Sequence, residues 1–143
     1  MGSISIDDID VTPLKRIAVP GGDVLHAMKK SDAGYVDFGE AYFSLIEFRL
    51  VKGWKRHLQM TLNFVVPIGT VKFVFKDSVG YIREECIGDD RYVRLTVPPG
   101  IWFGFQGSSS RTALLLNVAD IEHSPGEVEH KELSEIEYDW KVI

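Results

Sequence analysis

Four basic side chains fall within six consecutive positions and form the densest positive cluster of the chain: Lys52, Lys55, Arg56 and His57. An imidazole changes protonation near neutral pH, so His57 could move a proton as a general acid or base. Lysine and arginine side chains could hold a small anionic ligand such as a phosphate. The cluster therefore predicts either an anion site with one proton-transfer group or a solvated basic turn.

His57 alternates with Lys55 on a predicted strand, so both side chains point to the same face. A lysine acts as a base only where deep burial keeps its amine neutral; otherwise Lys55 would be a phosphate ligand. The alternatives are a hydrogen-bonded structural role for His57 and, after a register error of one residue, a solvent-facing Lys55.

Short β-strands must position this cluster, because period-2 patterns dominate the sequence. Residues 70–77 place Val71, Phe73 and Phe75 on one side of a predicted strand, and residues 91–97 repeat the pattern. Four apolar segments are typical of strands buried on both faces: residues 41–51, 62–66, 101–105 and 112–118. Separated by turns rich in Gly and Pro, these strands predict an all-β sandwich or small barrel with little helix.

The composition fits a single domain over residues 1–143. The formal net charge of −5 argues against a nucleic-acid partner, and no apolar run reaches the roughly 20 residues that cross a bilayer. The N-terminus lacks the features of a signal peptide, and Cys86 is the single cysteine. We therefore expect a cytoplasmic protein that binds neither nucleic acid nor membranes.

The two ends of the chain carry separate expectations. Residues 1–12 are expected to form a flexible segment or arm. Residues 127–143 form an acidic tail that contains Tyr138 and Trp140. Two large aromatic side chains so near a C-terminus usually dock against the body of a domain, so we expect a docked tail.

The spacing around the basic cluster resembles the two sequence motifs of a cupin barrel. Gly53, Gly69 and residues 98–100, Pro-Pro-Gly, occupy the frame positions. One imidazole cannot supply the three or more N/O ligands that divalent ions need, so we expect no bound metal. At the other metal-ligand positions of the two motifs, the sequence has side chains that do not bind a metal. These are Lys55 in the His-x-His pair, Leu62 or Asn63 in the Glu position, and Phe103 in the His position of the second motif.

Several blocks resemble the dTDP-4-dehydrorhamnose 3,5-epimerase family, nucleotide-sugar epimerases that act on 4-keto-6-deoxy sugars. Residues 51–55 are similar to the family's Leu-Arg-Gly-Leu-His, and residues 94–105 resemble its block around Ile-Pro-Pro-Gly. Residues 123–125 stand where the family has Tyr-x-Pro, and residues 136–140 resemble its terminal Ile-x-Trp. The resemblance extends over about residues 22–140 and implies a cupin-type double-stranded β-helix, or jelly-roll barrel, and a homodimer.

In that family a His base removes a proton beside the keto group, a Tyr delivers one from the opposite face, and basic residues hold the diphosphate. The resemblance puts Lys55 at the base, His123 at the Tyr and Lys52 at the diphosphate-binding Arg. The second His of the family corresponds to Phe103, and the Asp partner of its base falls near Ser134.

A related family, the cupin sugar-nucleotide 3,4-ketoisomerases, has an Arg-Gly-x-His-x-His motif that is similar to residues 52–57 and makes His57 the best general-base candidate. The resemblances imply candidate catalytic residues at His57, Lys55, Tyr42 and His123. They imply candidate substrate-binding residues at Lys52, Arg56, Glu40, His26 and Arg94. A loop-surface role for His123 and core packing for His26 are the alternatives.

The function that the resemblance implies is a metal-free nucleotide-sugar epimerase or isomerase, without a cofactor, that transfers a proton beside the carbonyl of a 4-keto-6-deoxy sugar. The alternative is a catalytically silent cupin that binds a sugar or nucleotide, or serves as a partner subunit. Lys55, His57 and a Tyr or His should converge on an open cavity of several hundred Å3 in the first case. In the second case Trp54, Trp102 and Phe103 should fill the barrel.

Overall fold

The structure of the chain, a computed structural model, describes residues 4–141. Its strands are, in chain order, β1 (Asp10–Pro13), β2 (Arg16–Ile17), β3 (Val24–Leu25), β4 (Glu40–Ile46), β5 (Val51–His57), β6 (Leu62–Ile68), β7 (Thr70–Lys76), β8 (Ile82–Gly88), β9 (Val93–Val97), β10 (Trp102–Gly107), β11 (Ala113–Ala119) and β12 (Val128–His130). Three short 3-10 helices span Ile6–Asp8, Pro125–Glu127 and Leu133–Glu135. Within the described residues, no helix has the length and apolar character that a bilayer crossing requires.

Two five-stranded sheets make up the body of the molecule. The first has the strand order β1-β9-β6-β11-β4, and the second has the order β12-β5-β10-β7-β8. Strands β2 and β3 form a separate two-stranded ribbon. From β4 onward the chain crosses repeatedly from one sheet to the other, and the paired strands run antiparallel. The predicted all-β jelly-roll barrel of the cupin type is thereby confirmed.

The core lies between the sheets, where their inward side chains meet. Val71, Phe73 and Phe75 of β7 are fully buried there, as the alternating pattern predicts. The rings of Phe64 and Phe73 lie 4.9 Å apart across the two sheets. This aromatic packing fixes the spacing of the sheets that carry the candidate site.

The C-terminal tail covers the outer face of the second sheet. Trp54 has no exposed surface and lies 5.4 Å from Trp140, ring centre to ring centre. Its Nε1 donates a hydrogen bond to the carbonyl of Leu133 at 3.2 Å, and Ile136 is buried in the same cluster. Strand β12 extends the second sheet by pairing with β5. Residues 142–143 of the expected tail lie outside the described residues.

The N-terminal segment from residue 4 onward packs against the barrel, whereas the sequence predicted a flexible segment or arm over residues 1–12. Strand β1 pairs with β9 along its length, and Ile9 is buried in the core. The backbone N–H of Ile6 donates to the carboxylate of Asp77 at 3.1 Å. These contacts hold the segment in place from both sides; residues 1–3 lie outside the described residues.

The apolar segment 41–51 forms two strands, although the sequence pattern predicted one. Strand β4 ends at Ile46 and β5 begins at Val51. Between them, Arg49 adopts a left-handed φ of 67°, and its carbonyl accepts a hydrogen bond from Gln106 Nε2 at 3.1 Å. This turn takes the chain from the first sheet to the second.

Candidate functional site

A cavity of about 160 Å3 opens between the two sheets, and six of the residues predicted from the sequence line it. Alternation along β4 turns every second side chain inward, and β5 lies in the facing sheet. A groove of about 320 Å3 adjoins the cavity and shares Lys52 and Lys55 with it. The six residues are Glu40, Tyr42, Lys52, Lys55, His57 and His123.

An irregularity in β5 brings both lysines to the cavity. Opposite β10, Phe105 pairs with Lys52 and Phe103 pairs with Lys55, so β5 has one more residue than its partner between the two pairs. This bulge turns Lys52 and Lys55 to the same face although they are three positions apart. His57 follows with normal alternation, and the three basic side chains line one wall.

His57 is buried, and Glu127 holds its ring. Nδ1 of His57 and Oε1 of Glu127 form a short hydrogen bond, and the imidazole stacks on Phe103 at 6.1 Å. The second carboxylate oxygen accepts the backbone N–H groups of Gln59 and Met60, each at 3.2 Å. The carboxylate therefore fixes the orientation of the ring and leaves Nε2 as the nitrogen that can accept a proton.

Burial by itself would raise the pKa of Glu127. The contacts with His57 and with the N–H groups of Gln59 and Met60 outweigh that effect and hold the pKa below its ordinary value. The carboxylate therefore stays ionised at neutral pH, where it accepts a hydrogen bond from an N–H on Nδ1 of His57.

The facing wall carries a phenol and an amide. Tyr42 of β4 lies directly opposite Asn117 of β11 in the strand register. Asn117 Nδ2 donates a hydrogen bond to the Tyr42 hydroxyl oxygen at 3.1 Å. Nearby, the carboxylate of Glu40 accepts the backbone N–H of His123 at 2.6 Å and ties the loop before the 3-10 helix Pro125–Glu127 to β4. Side chains with titratable groups thus stand on both walls of the cavity.

Three predicted substrate-binding residues lie elsewhere, and Arg56 is the first. It points to the opposite face of β5 from its neighbours Lys55 and His57, because adjacent strand residues alternate. Its guanidinium contacts Glu129 at 2.5 Å and lies 4.8 Å from the centre of the Trp102 ring. The structure therefore places Arg56 on the outer surface of the second sheet.

His26 and Arg94 are also outside the cavity. His26 lines a separate cleft beside Lys15 and Asp32. Arg94 has no exposed surface, and its guanidinium donates to Asn63 Oδ1 at 3.1 Å and to the carbonyls of residues 27 and 33 at 3.0 and 2.8 Å. Because these contacts occupy its donors inside the protein, Arg94 anchors a loop to the first sheet instead of facing a ligand.

Two cavity residues, Asn117 and His130, were missed from the sequence, and so was Glu127, the carboxylate that contacts His57. Ser134, near which the resemblance places the family's Asp, belongs to the 3-10 helix Leu133–Glu135. His130, which pairs with Lys55 across β12 and β5, also lines the cavity. Asn117 had a visible signal, since it is the only polar residue in strand β11. Glu127 had none, because it lies 70 positions from His57.

The large aromatic side chains leave the barrel open. Trp54 and Trp102 pack on the outer face of the second sheet, in the cluster covered by the tail. Phe103 points inward and forms part of the cavity wall. Among residues 4–141, no group of three His, Cys, Asp or Glu side chains is arranged to hold a metal ion.

No protein-family model matches the sequence, and no curated protein sequence does. Solved structures are similar. A dTDP sugar isomerase from Desulfovibrio desulfuricans G20 shares 34% identity and a TM-score of 0.91 over 96% of this chain and 93% of the other.

Two further structures share the fold at lower identity. The sugar 3,4-ketoisomerase QdtA from Thermoanaerobacterium thermosaccharolyticum, in complex with TDP, is 17% identical with a TM-score of 0.76, over 92% of this chain and 96% of the other. A dTDP-4-dehydrorhamnose 3,5-epimerase from Sulfolobus tokodaii is 19% identical with a TM-score of 0.78, over 91% and 80% of the two chains.

Proposed function

This chain belongs to the RmlC-like cupin family of dTDP-sugar isomerases and epimerases, and we propose that it transfers a proton beside the carbonyl of a dTDP-linked 4-keto-6-deoxy sugar. The observation that carries the proposal is the convergence on one cavity of the buried His57–Glu127 pair, the Tyr42 hydroxyl and two lysines. A mutant of the 3,4-ketoisomerase QdtA, which has the same fold, is solved in complex with TDP-4-keto-6-deoxyglucose and supports this substrate class.

His57 is the general base of the proposed reaction. A proton on a carbon beside a ketone is weakly acidic, so its removal needs a base that titrates near neutral pH and has a fixed position. Glu127 fixes the ring through Nδ1 and stabilises the imidazolium that forms when Nε2 takes up the proton.

Tyr42 is the proton donor in this proposal, and His123 is the alternative. Both line the cavity, and Tyr42 belongs to the sheet that faces His57. A donor on the opposite wall can return a proton to the other face of the sugar carbon, which inverts that carbon. If His57 instead delivers its proton to the former carbonyl carbon, and the hydroxyl proton of the neighbouring carbon passes to the enolate oxygen, the carbonyl moves to that neighbouring carbon.

Lys52 and Lys55 hold the diphosphate of the nucleotide. Both line the cavity and the groove beside it, where an extended anion could lie along β5. Two ammonium groups suit the charge of a diphosphate. The proposed reaction needs no cofactor, because a proton leaves and a proton returns without net oxidation. A metal-free site and a cytoplasmic location, which fits the single free thiol of Cys86, are part of the proposal.

A homodimer is the second part of the proposal. The outer face of the first sheet carries an apolar patch, which we define as Phe43, Leu45, Ile68, Leu114 and Leu116. Phe43 and Leu45 are 63% and 68% exposed. They are paired across the strands with Leu116 and Leu114, so the patch is continuous over β4 and β11. Apolar patches of this kind mark protein–protein contacts, and a second copy would cover this one.

The test of the activity is exchange of the substrate's carbon-bound proton with solvent. We expect the protein to wash deuterium from D2O into TDP-4-keto-6-deoxyglucose, and His57→Asn to slow the exchange by about 100-fold or more. His26→Asn, at the separate cleft, is the matched control and should exchange at the normal rate.

Two results would contradict the proposal in different ways. Binding in calorimetry without exchange would identify a catalytically silent cupin. Neither binding nor exchange with dTDP-linked 4-keto sugars would reject the substrate class.

A further inference from the structure

Asn117 is a polar residue on an otherwise apolar inner face. The side chains of β11 that point inward with it are those of Ala113, Leu115 and Ala119. Asn117 itself is only 4% exposed and lines the cavity. One half of its amide has a clear role, because Nδ2 donates to the hydroxyl oxygen of Tyr42.

The other half of the amide has no protein partner. Asn117 Oδ1 is buried and accepts no hydrogen bond from the residues that the structure describes. A buried acceptor without a donor costs free energy, and a leucine at this position would pack in a similar volume without that cost. Asn117 borders the cavity, and its buried oxygen is an acceptor there that lacks a donor within the described residues.

We propose that Asn117 Oδ1 accepts a hydrogen bond from a hydroxyl group of the sugar ring and so selects substrates that carry this hydroxyl. The inference rests on the proposed function and deepens it. The amide oxygen of Asn117 accepts a hydrogen bond from a hydroxyl group but not from a ketone, which has no proton to donate. Asn117 therefore distinguishes a ring carbon that carries a hydroxyl from one that carries the ketone. Since the same amide donates a hydrogen bond to Tyr42, the selected hydroxyl lies next to the carbon that receives the proton from Tyr42.

The test compares TDP-4-keto-6-deoxyglucose with its 2-deoxy and 3-deoxy analogues by calorimetry. With the unaltered protein, removal of the bound hydroxyl should weaken binding by roughly tenfold. With Asn117→Leu, the parent sugar and that analogue should bind equally well. Asn117→Asp keeps an acceptor oxygen and should restore the preference for the hydroxyl, which a packing role alone would not do. Asn117→Ala replaces the leucine variant if the latter does not fold.

Two negative outcomes are distinguishable. If the analogues lose the same affinity with Asn117→Leu as with the unaltered protein, Asn117 does not select the hydroxyl, and the proposed function stands. If the unaltered protein binds none of the three sugars, both the inference and the proposed substrate class are overturned.

Discussion

The carboxylate of Glu127 determines what His57 can do, because it fixes the ring and balances its charge. Replacing Glu127 with Gln keeps the shape of the side chain and removes the negative charge. We expect Glu127→Gln to lower kcat of the proposed reaction by about 10- to 100-fold, with a smaller change in KM, since it impairs proton transfer more than binding. Steady-state kinetics with TDP-4-keto-6-deoxyglucose measure both constants.

The matched control for this prediction is Glu129→Gln. Glu129 stands two positions away in the same tail but pairs with Arg56 on the outer surface, so kcat should stay unchanged. Equal losses in the two variants would mean that Glu127 acts only by supporting the tail. The lowered pKa of Glu127 keeps its carboxylate ionised until the pH falls below the ordinary range of a glutamate, so this support for His57 should persist through mildly acidic pH.

How well the sequence predicted single residues depended on how local their signal is. Lys55 and His57 share a strand, so the motif alone predicted that they act together. Glu127 meets His57 only after the tail has folded back along β5, and no short-range pattern records that contact. Arg94 was assigned to the substrate because it belongs to the block of residues 94–105 that resembles the family. That block indicates a strand, whereas the burial of Arg94 depends on the loop that covers the outer face of the strand.

At the scale of elements, Asp77 joins three parts of the barrel. It follows β7, accepts the N–H groups of residues 79–81 in the turn to β8, and accepts the N–H of Ile6 in the N-terminal segment. Burial would raise the pKa of Asp77, but these N–H donors outweigh it and hold the pKa below its ordinary value. The ionised carboxylate is thus a structural part of the turn.

The pH dependence of stability tests this role. Because the pKa of Asp77 is lower in the folded than in the unfolded chain, its contribution is complete above the ordinary aspartate range and is lost as the pH falls below about 4. We expect Asp77→Asn to unfold at a lower temperature at pH 7 and to lose less stability on acidification than the unaltered protein. Thermal unfolding between pH 7 and pH 3 measures both effects.

The control is Asp90→Asn, in an exposed turn, which should follow the unaltered protein at every pH. If the stability of Asp77→Asn falls on acidification as much as that of the unaltered protein, the hydrogen bonds from these N–H groups do not depend on the charge of the Asp77 carboxylate.

Regular alternation predicted the strands well, whereas it did not predict the turn that carries the chain between the two sheets. The pattern in β7 identified its buried side because each inward residue repeats every second position. The break between β4 and β5 was missed because Phe48 and Leu50 continue the alternating apolar pattern of Ile46 and no Gly or Pro marks the turn. The bulge that turns Lys52 toward the cavity likewise depends on pairing with β10, which is distant in sequence.

At the scale of the whole molecule, the apolar patch on the first sheet and the site share a strand. Glu40 and Tyr42 of β4 face the cavity, while Phe43 and Leu45 face outward, so a partner seated on the patch would also support the wall that carries the proposed proton donor. The strand is at the edge of its sheet, where few contacts within one chain restrain it. Dimer formation and activity should therefore be coupled.

A charge in the centre of the patch tests this coupling. We expect Leu45→Glu to weaken the dimer by at least about tenfold, since a buried leucine contributes roughly 1.5–3 kcal/mol and an unpaired carboxylate opposes burial. Sedimentation across a range of concentrations measures the dimer, and exchange of deuterium into TDP-4-keto-6-deoxyglucose at the same concentrations measures activity. Val79→Glu, at a 70% exposed position in the turn after β7 on the other sheet, is the matched control and should leave both unchanged. A Leu45→Glu protein that stays dimeric would reject the patch as the interface, and a fully active monomer would show that the site is complete in one chain.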